Sequence, residues 1–336
     1  MPEVLADRHV EGRPRRVLIT GASGFTGSFL AEQYVAREWS VCGTYRTTPP
    51  AEDGGVEWRR VDLTCVRDAE LLIHDTRPDV IHHLAAQSSV SASLRDPAST
   101  FSNNVIAQYH LLDAMVRHAP RSRIVIAGSS DEYGDVSPEE NPVTEDHPLL
   151  PLNPYALSKV AQDLMARQYH IIHDLRIIRA RPFLQIGPRR SDSFVAGAFA
   201  RQVSEVEAGM REPIIEVGNV DLRRDFTDVR DVARAFVLLA AHGEDGQVYN
   251  IASERDHSPR EMLEIMIAAA GRRIDVRIAA ERRRRGESPV LIGSSSRLRA
   301  ATGWKSEISF EQSALDTLNF WRVRTARASV AEGHTR

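Results

Sequence analysis

The sequence predicts an α/β fold, a doubly wound parallel sheet with a smaller, interleaved C-terminal lobe. Three observations support this prediction. Short β-rich runs alternate with helical stretches from Val17 to Ala180, the pattern of a parallel sheet with helices on both faces. A glycine-rich turn joins the first strand to the first helix. The alternation weakens after Pro182, where we expect the second lobe to begin.

The composition excludes several classes of protein. The chain has 336 residues, of which 42% are hydrophobic and 26% charged, as in ordinary globular domains. A net charge of −3 argues against nucleic acid or an anionic membrane as a partner. No apolar run is long enough to cross a membrane. Two cysteines form neither a disulfide framework nor a metal-ligand pattern, so we expect no metal and a cytoplasmic location.

The first strand leads directly into the glycine-rich turn. Residues 16–27 read R-V-L-I-T-G-A-S-G-F-T-G, with glycines spaced G-x-x-G-x-x-G. Glycine permits positive φ and a close phosphate approach, and the following helix directs unpaired N–H groups at that phosphate. A dinucleotide site is therefore predicted. Its predicted contacts are Gly21, Ser23, Gly24, Phe25, Thr26 and Gly27.

The second and third strands bear on the choice of cofactor. Strand Ser40–Tyr45 ends in Thr-Tyr-Arg, without the acid that usually holds the adenosine ribose of NAD. Arg46 suits a 2′-phosphate, so NADP is predicted, with NAD as the alternative if Arg46 is only solvated. Strand Val56–Arg60 leads to Asp62 and Leu63. Asp62 is placed to accept from the adenine amino group or to cap a helix.

The fourth and fifth strands end in further candidate residues. Strand Asp79–Leu84 is followed by a predicted cofactor-binding run, and helix Asn103–Ala119 comes next. Strand Arg123–Ala127 ends at Ser129 and Ser130, whose hydroxyls suit polarisation of a carbonyl. The predicted run after the fourth strand is Leu84, Ala85, Ala86 and Gln87.

Tyr155 and Lys159 form a candidate catalytic pair. They are four residues apart at the start of the predicted helix Tyr155–Asp174, and therefore share one face. A tyrosine with an ordinary pKa near 10 is a poor acid or base at neutral pH. We expect the Lys159 ammonium to lower that pKa and to hydrogen-bond the cofactor ribose. A strand, Arg176–Ala180, follows the helix.

The C-terminal half is predicted to be the smaller lobe. The predicted domains are a tail at 1–14, a dinucleotide-binding domain at 15–181, a substrate lobe at 182–324 and a tail at 325–336. Elements around 225–252 are expected to return to the main sheet. The lobe's predicted helices and strands are Val195–Met210, Ile214–Val217, Asp228–His242, Val248–Ile251, Arg260–Ala270 and Ile274–Ile278.

Four motifs carry a family resemblance. T-G-A-S-G-F-T-G, H-L-A-A-Q, S-S-D-E-Y-G and P-Y-A-L-S-K together resemble the extended short-chain dehydrogenase/reductases, or NAD-dependent epimerase/dehydratases, that act on nucleotide sugars. The stretches E-P-I-I-E-V-G-N and R-D-F-T-D-V-R-D look like the GDP-6-deoxy-4-keto-mannose reductases and their relatives, the GDP-mannose 4,6-dehydratases. The resemblance implies a Rossmann domain and reduction of the C4 ketone of GDP-4-keto-6-deoxy-D-mannose to GDP-D-rhamnose, with Tyr155 as proton donor.

Dehydration of GDP-mannose is the alternative reaction that the resemblance implies. It requires an acid and a base, for which Asp131 and Glu132 are the candidates. The dehydratase pattern is S-T-x-E-x-Y-G or S-T-D-E-V-Y-G, and S-S-D-E-Y-G reads as one residue shorter. A different nucleotide-sugar epimerase or reductase, or a non-catalytic nucleotide-binding relative, are further alternatives.

The resemblance also implies a GDP-sugar site and an oligomer. Leu184 replaces the asparagine of the family's R-x-F-N-H motif, so either Gln185 substitutes for it or the substrate differs from the family norm. The family pairs through helices at 103–118 and 155–173, which implies a homodimer or homotetramer. The implied substrate contacts are Ser88, Ser89, Gln185, Val195, Arg224, Arg284 and Glu287, the last two in the arginine-rich run near 282–285.

Overall fold

A computed structural model describes residues 9–10, 13–50, 52–278 and 288–333. The strands in chain order are β1 (His9–Val10), β2 (Arg13–Pro14), β3 (Arg16–Thr20), β4 (Ser40–Tyr45), β5 (Val56–Arg60), β6 (Val80–His83), β7 (Arg123–Ala127), β8 (Arg176–Pro182), β9 (Leu184–Ile186), β10 (Ile214–Val217), β11 (Arg223–Asp228), β12 (Val248–Ile251), β13 (Asp256–His257), β14 (Asp275–Ile278) and β15 (Val290–Leu291). The helices are α1 (Phe25–Val35), α2 (Val66–Thr76), α3 (Val90–Arg95), α4 (Pro97–Phe101), α5 (Ala107–His118), α6 (Pro154–His173), α7 (Val195–Glu207), α8 (Val229–His242), α9 (Pro259–Ala270), α10 (Ser296–Thr302) and α11 (Phe310–Gly333).

The main sheet confirms the predicted doubly wound architecture. Its seven parallel strands run in the order β12-β8-β7-β6-β3-β4-β5. Strands such as β3 and β7 are continuous apolar runs because both of their faces are covered. Helices α1 and α8 pack on one face, and α2, α5 and α6 on the other. The carboxyl ends of all seven strands therefore meet at one edge.

The smaller lobe is built around β11. This strand pairs in parallel with β9 and β15 and antiparallel with β13, while β10 pairs with β14. Helices α7, α9 and α11 enclose the lobe's apolar core. Strand β12 returns to the main sheet and pairs with β8. Because β9 follows β8 after one residue, the chain passes from the main sheet to the lobe directly beside the strand ends.

Several elements differ from the sequence-based expectation. Helix α6 begins at Pro154, because proline suits the first helical position, where its missing N–H is not needed. A π-helical turn, Ser102–Ile106, precedes α5 where a regular helix was expected. Helix α11 continues to Gly333, which corrects the predicted tail from residue 325 onward. The predicted N-terminal tail includes the antiparallel pair of β1 and β2.

In the part of the chain that the structure describes, no helix has both the length and the apolarity needed to cross a membrane. The same residues contain no group of three or more histidine, cysteine, aspartate or glutamate side chains that could hold a metal ion.

Candidate active site

A cavity of about 1080 Å³ lies where the strand ends of the main sheet face the lobe. Most of the predicted site residues line it, although they come from eight separate segments of the chain. These residues are Gly21, Ser23, Gly24, Phe25, Thr26, Gly27, Arg46, Asp62, Leu63, Leu84, Ala85, Ala86, Gln87, Ser88, Ser89, Ser129, Ser130, Asp131, Tyr155, Lys159, Gln185 and Arg224.

Four predicted site residues are not among those that line the cavity. Val195 begins α7, and its neighbour Phe194 lines the cavity instead. Glu132 is fully buried and points away, which corrects its prediction as an acid or base in the site. Arg284 and Glu287 lie outside the described residues.

The glycine-rich turn has the geometry that a pyrophosphate site needs. Gly21 has a φ of +73°, which favours glycine, and a Cβ there would lie 2.8 Å from the Ala85 nitrogen. A Cβ on Gly27 would lie 2.3 Å from the Gly21 oxygen, so the turn and α1 pack in direct backbone contact. The N-cap of α1 is Gly24, which has no capping side chain. The first N–H groups of α1 are therefore open to an anion in the cavity.

The adenosine end of the cavity contains a cation and a carboxylate. Arg46 lines the cavity and donates to the Asn103 side chain. Asp62 accepts hydrogen bonds from the backbone and hydroxyl of Thr64, which lower the pKa of its carboxyl. The N-cap of α2 is Cys65, so Asp62 is not the capping residue that the sequence allowed. No acid follows β4, so the described residues fit a 2′-phosphate beside Arg46.

Tyr155 and Ser129 meet in the cavity. Helix α6 brings the Tyr155 hydroxyl beside the Ser129 side chain, close enough for Ser129 to influence its pKa. Burial and the nearby Asp131 carboxylate raise the pKa of Tyr155, whereas Ser129 opposes the rise. This overturns the expectation of a lowered pKa, because the loss of hydration outweighs any nearby cation. Tyr155 therefore carries its proton at neutral pH.

Lys159 is placed one helical turn after Tyr155. Its ammonium is buried and donates to the Ala127 carbonyl oxygen at 2.8 Å, at the end of β7. Burial lowers the pKa of Lys159, and the Glu132 carboxylate opposes that change. This arrangement ties α6 to the strand end that carries Ser129.

The structure also corrects the alignment of the S-S-D-E-Y-G segment. Ser129 is the serine that contacts Tyr155, and Asp131 is the acid that lines the cavity. Counting back from Tyr133, Gly128 to Gly134 has the same length as S-T-x-E-x-Y-G. Ser129 then takes the place of the threonine and Asp131 that of the glutamate, so no residue is missing.

Arg190 is a cavity residue that the sequence reasoning missed. Its guanidinium lies over the rings of Phe194 and Phe25, at 3.7 and 4.6 Å from their centroids. Burial lowers the pKa of Arg190 to about 10, and the neighbouring Tyr155 would oppose the change when ionised. Among the described residues its guanidinium has no carboxylate partner within 4 Å, and it could pair with an anion. The sequence does contain a pattern that could have indicated this residue, the R-R-x-x-x-F spacing that ends at Phe194.

The fold and this Ser–Tyr–Lys arrangement define an oxidoreductase of the extended short-chain dehydrogenase/reductase type. The family model for GDP-mannose 4,6 dehydratase matches residues 18–317. The chain belongs to this family.

Individual relatives agree with this assignment. A GDP-6-deoxy-D-mannose reductase from Pseudomonas aeruginosa is 34% identical over 315 residues, covering 92% of this chain and 98% of the relative. The structure of RMD from Pseudomonas aeruginosa complexed with NADPH matches with a TM-score of 0.81 and 34% identity, covering 92% of this chain and 99% of the other. The Thermus thermophilus UDP-glucose 4-epimerase complex with NAD matches with a TM-score of 0.82 and 29% identity, covering 91% and 99%.

Proposed function

We propose that this protein uses NADPH to reduce the C4 ketone of GDP-4-keto-6-deoxy-D-mannose to GDP-D-rhamnose. The observation that carries the proposal is that the Tyr155 hydroxyl and Ser129 lie together in a cavity that Glu132 does not line, where burial raises the pKa of Tyr155. Ketone reduction needs one proton donor, and Tyr155 is held in the donor form. The similarity to a GDP-6-deoxy-D-mannose reductase supports the same reaction.

Each residue then has a defined task. Tyr155 donates its proton to the C4 oxygen, and Ser129 donates a hydrogen bond to the same oxygen as negative charge develops. Lys159 supplies a positive charge near Tyr155 and fixes α6 against β7. NADPH, when bound, supplies the hydride. Its pyrophosphate would lie at the open N-terminus of α1 and its 2′-phosphate at Arg46.

The substrate's diphosphate requires cations on the lobe side. Arg224 lines the cavity from β11, and Arg190 lines it from the loop after β9. Gln185 also lines it, and its side-chain oxygen accepts from the Thr26 hydroxyl at 2.6 Å. This leaves the Gln185 amide N–H groups as donors, which supports the proposal that Gln185 substitutes for the family asparagine. Arg284 and Glu287 stay predictions from the resemblance alone.

Dehydration of GDP-mannose remains the second candidate because Asp131 lines the cavity at the position of the dehydratase glutamate. Incubation with GDP-mannose, and separately with its 4-keto-6-deoxy product plus NADPH, distinguishes the reactions by mass spectrometry. Gain of two hydrogens on the ketone supports the reductase. Loss of water from GDP-mannose, without reduction of the ketone, would contradict it.

Arg46→Ala is expected to weaken NADPH binding roughly 10- to 100-fold, because a hydrogen bond to a charged group contributes about 1.5–3 kcal/mol. NADH lacks the 2′-phosphate, so its affinity should not change. Fluorescence titration of wild type and variant with both cofactors measures the effect. Equal losses of affinity for NADH and NADPH would mean that Arg46 does not bind the 2′-phosphate.

We also propose that the chain forms a homodimer or homotetramer in the cytoplasm. Leu157, Leu164 and Ile171 recur every seven residues on α6 and form one exposed apolar stripe. Ile106 and Tyr109, beside the start of α5, are also exposed. An apolar surface of this kind favours association. The cytoplasmic location rests on two cysteines that form no disulfide.

Leu164→Glu is expected to shift the protein to a monomer, because it introduces charge into the stripe. Val323→Glu is a matched control, since Val323 and Leu164 are both 54% exposed and Val323 lies on α11. Sedimentation velocity measures the mass of each. An unchanged oligomer in Leu164→Glu would place the interface elsewhere.

A further inference from the structure

Glu132 forms a buried link between the Ser129 turn and the main sheet. One carboxylate oxygen, Oε1, accepts from the Ser129 backbone N–H at 2.7 Å. The other, Oε2, lies 3.0 Å from the Arg181 Nε on β8. The Glu132 side chain has no exposed area. A single carboxylate thus joins the backbone of Ser129 to the neighbouring strand.

The link continues from β8 to the helix that carries Tyr155 and Lys159. Arg181 pairs with Asp163 of α6 at 3.0 Å, and Asp163 pairs with Arg179 of β8 at 2.7 Å. Asp163 lies one turn after Lys159 on α6. Four alternating charges therefore connect the Ser129 turn, β8 and α6. These elements set the distance between the Ser129 and Tyr155 hydroxyls.

The backbone is shaped to admit this carboxylate. A Cβ on Gly128 would lie 2.4 Å from the Glu132 Oε1, so a larger residue there would force the carboxylate to shift from this position. The dehydratase form S-T-D-E-V-Y-G has valine at the position that Glu132 occupies. Burying a carboxylate is costly unless it is paired, so valine would fill this space at a lower desolvation cost. An acid that is costly to bury at this position points to a geometric role rather than to stability.

We propose that Glu132 is a positioning residue that holds the Ser129 backbone so that its hydroxyl meets the Tyr155 hydroxyl. It does not contact the cavity and donates no proton to the substrate. Its contribution to turnover rests on the proposed function, because that function assigns the reaction to Ser129 and Tyr155.

The test compares Glu132→Val and Glu132→Gln with a matched pair at Glu140. Glu140 accepts a hydrogen bond from the Ser137 backbone N–H, as Glu132 does from Ser129, but on the surface. Glu132→Val is expected to lower kcat for ketone reduction roughly 10- to 100-fold, the scale of a small misplacement of a reacting group. Glu132→Gln keeps an oxygen that accepts from Ser129 but turns an amide N–H group toward Arg181, so it should recover part of the loss. Glu140→Val and Glu140→Gln should match wild type.

Turnover is expressed per NADPH-binding site, counted by fluorescence titration, and KM is measured alongside. A positioning role lowers kcat per site with little change in KM. A purely structural role lowers the number of sites and leaves kcat per site unchanged, which would overturn the proposal. If Glu132→Val does not fold, Gly128→Ala provides the test instead. This variant keeps every charged residue but displaces the Glu132 carboxylate. Wild-type kcat per site in Gly128→Ala would equally overturn it.

Failure of the proposed function is visible separately. A wild-type protein that does not reduce the ketone contradicts the reductase assignment and says nothing against Glu132. In that case kcat per site of the same variants is compared for the dehydration of GDP-mannose. That reaction would use the same Ser129–Tyr155 contact. Equal kcat per site in Glu132→Val and wild type in that reaction would contradict the positioning role.

Discussion

Tyr155→Phe is expected to lower kcat for ketone reduction about 1000-fold while the affinity for NADPH stays unchanged. Proton transfer by a positioned side chain contributes about 100- to 10,000-fold, and phenylalanine keeps the ring but has no proton to donate. Burial holds the Tyr155 hydroxyl in its protonated form, so the decrease in kcat reflects the loss of the general acid. Single-turnover kinetics with preformed NADPH complex measures the step.

Tyr169→Phe is the matched control for this prediction. Tyr169 lies on the same helix, α6, and is buried outside the cavity. Removal of its hydroxyl should leave kcat at the wild-type value. Turnover of Tyr155→Phe within threefold of wild type would show that another group, such as a water, protonates the C4 oxygen.

Gly27→Ala is expected to weaken NADPH binding roughly 10- to 100-fold. The added Cβ would lie 2.3 Å from the Gly21 oxygen and 2.7 Å from the Ala22 Cα, so α1 must move away from the turn. Overpacking of this kind costs about 1–3 kcal/mol. The displaced helix N-terminus would then no longer meet the pyrophosphate. Isothermal titration with NADPH gives the affinity, and thermal unfolding shows whether the fold survives.

Gly303→Ala separates this effect from a general cost of losing a glycine. Gly303 has a φ of +70°, but a Cβ there would meet nothing within 4 Å. Its replacement should lower the melting temperature slightly and leave NADPH binding intact. If Gly27→Ala bound NADPH as tightly as wild type, the close contact between the turn and α1 would not determine the pyrophosphate site.

Local patterns account for what the sequence could predict. The glycine-rich turn, the order of the strands and the Tyr155–Lys159 spacing each depend on residues that are near one another in the chain. The resemblance of four such motifs was sufficient to indicate the family. Because parallel strand ends share one edge, these separate motifs also predicted most of the cavity lining.

The features that the sequence could not predict depend on contacts between segments that are distant in the chain. Glu132 points inward because it pairs with Arg181 of β8, a contact that no local pattern shows. Arg190 enters the cavity between two phenylalanine rings from different elements. The expected decrease in the pKa of Tyr155 was wrong because its burial depends on the whole fold.

The return of β12 to the main sheet has a consequence for how the chain is made. Strand β8 has β7 on one side and β12 on the other, and the entire segment from β9 to α8 lies between β8 and β12 in sequence. During synthesis β8 is therefore an open sheet edge until the chain has been extended past Ile251. Open edges pair readily with other chains, so a nascent or truncated chain that ends before β12 is the form most exposed to aggregation.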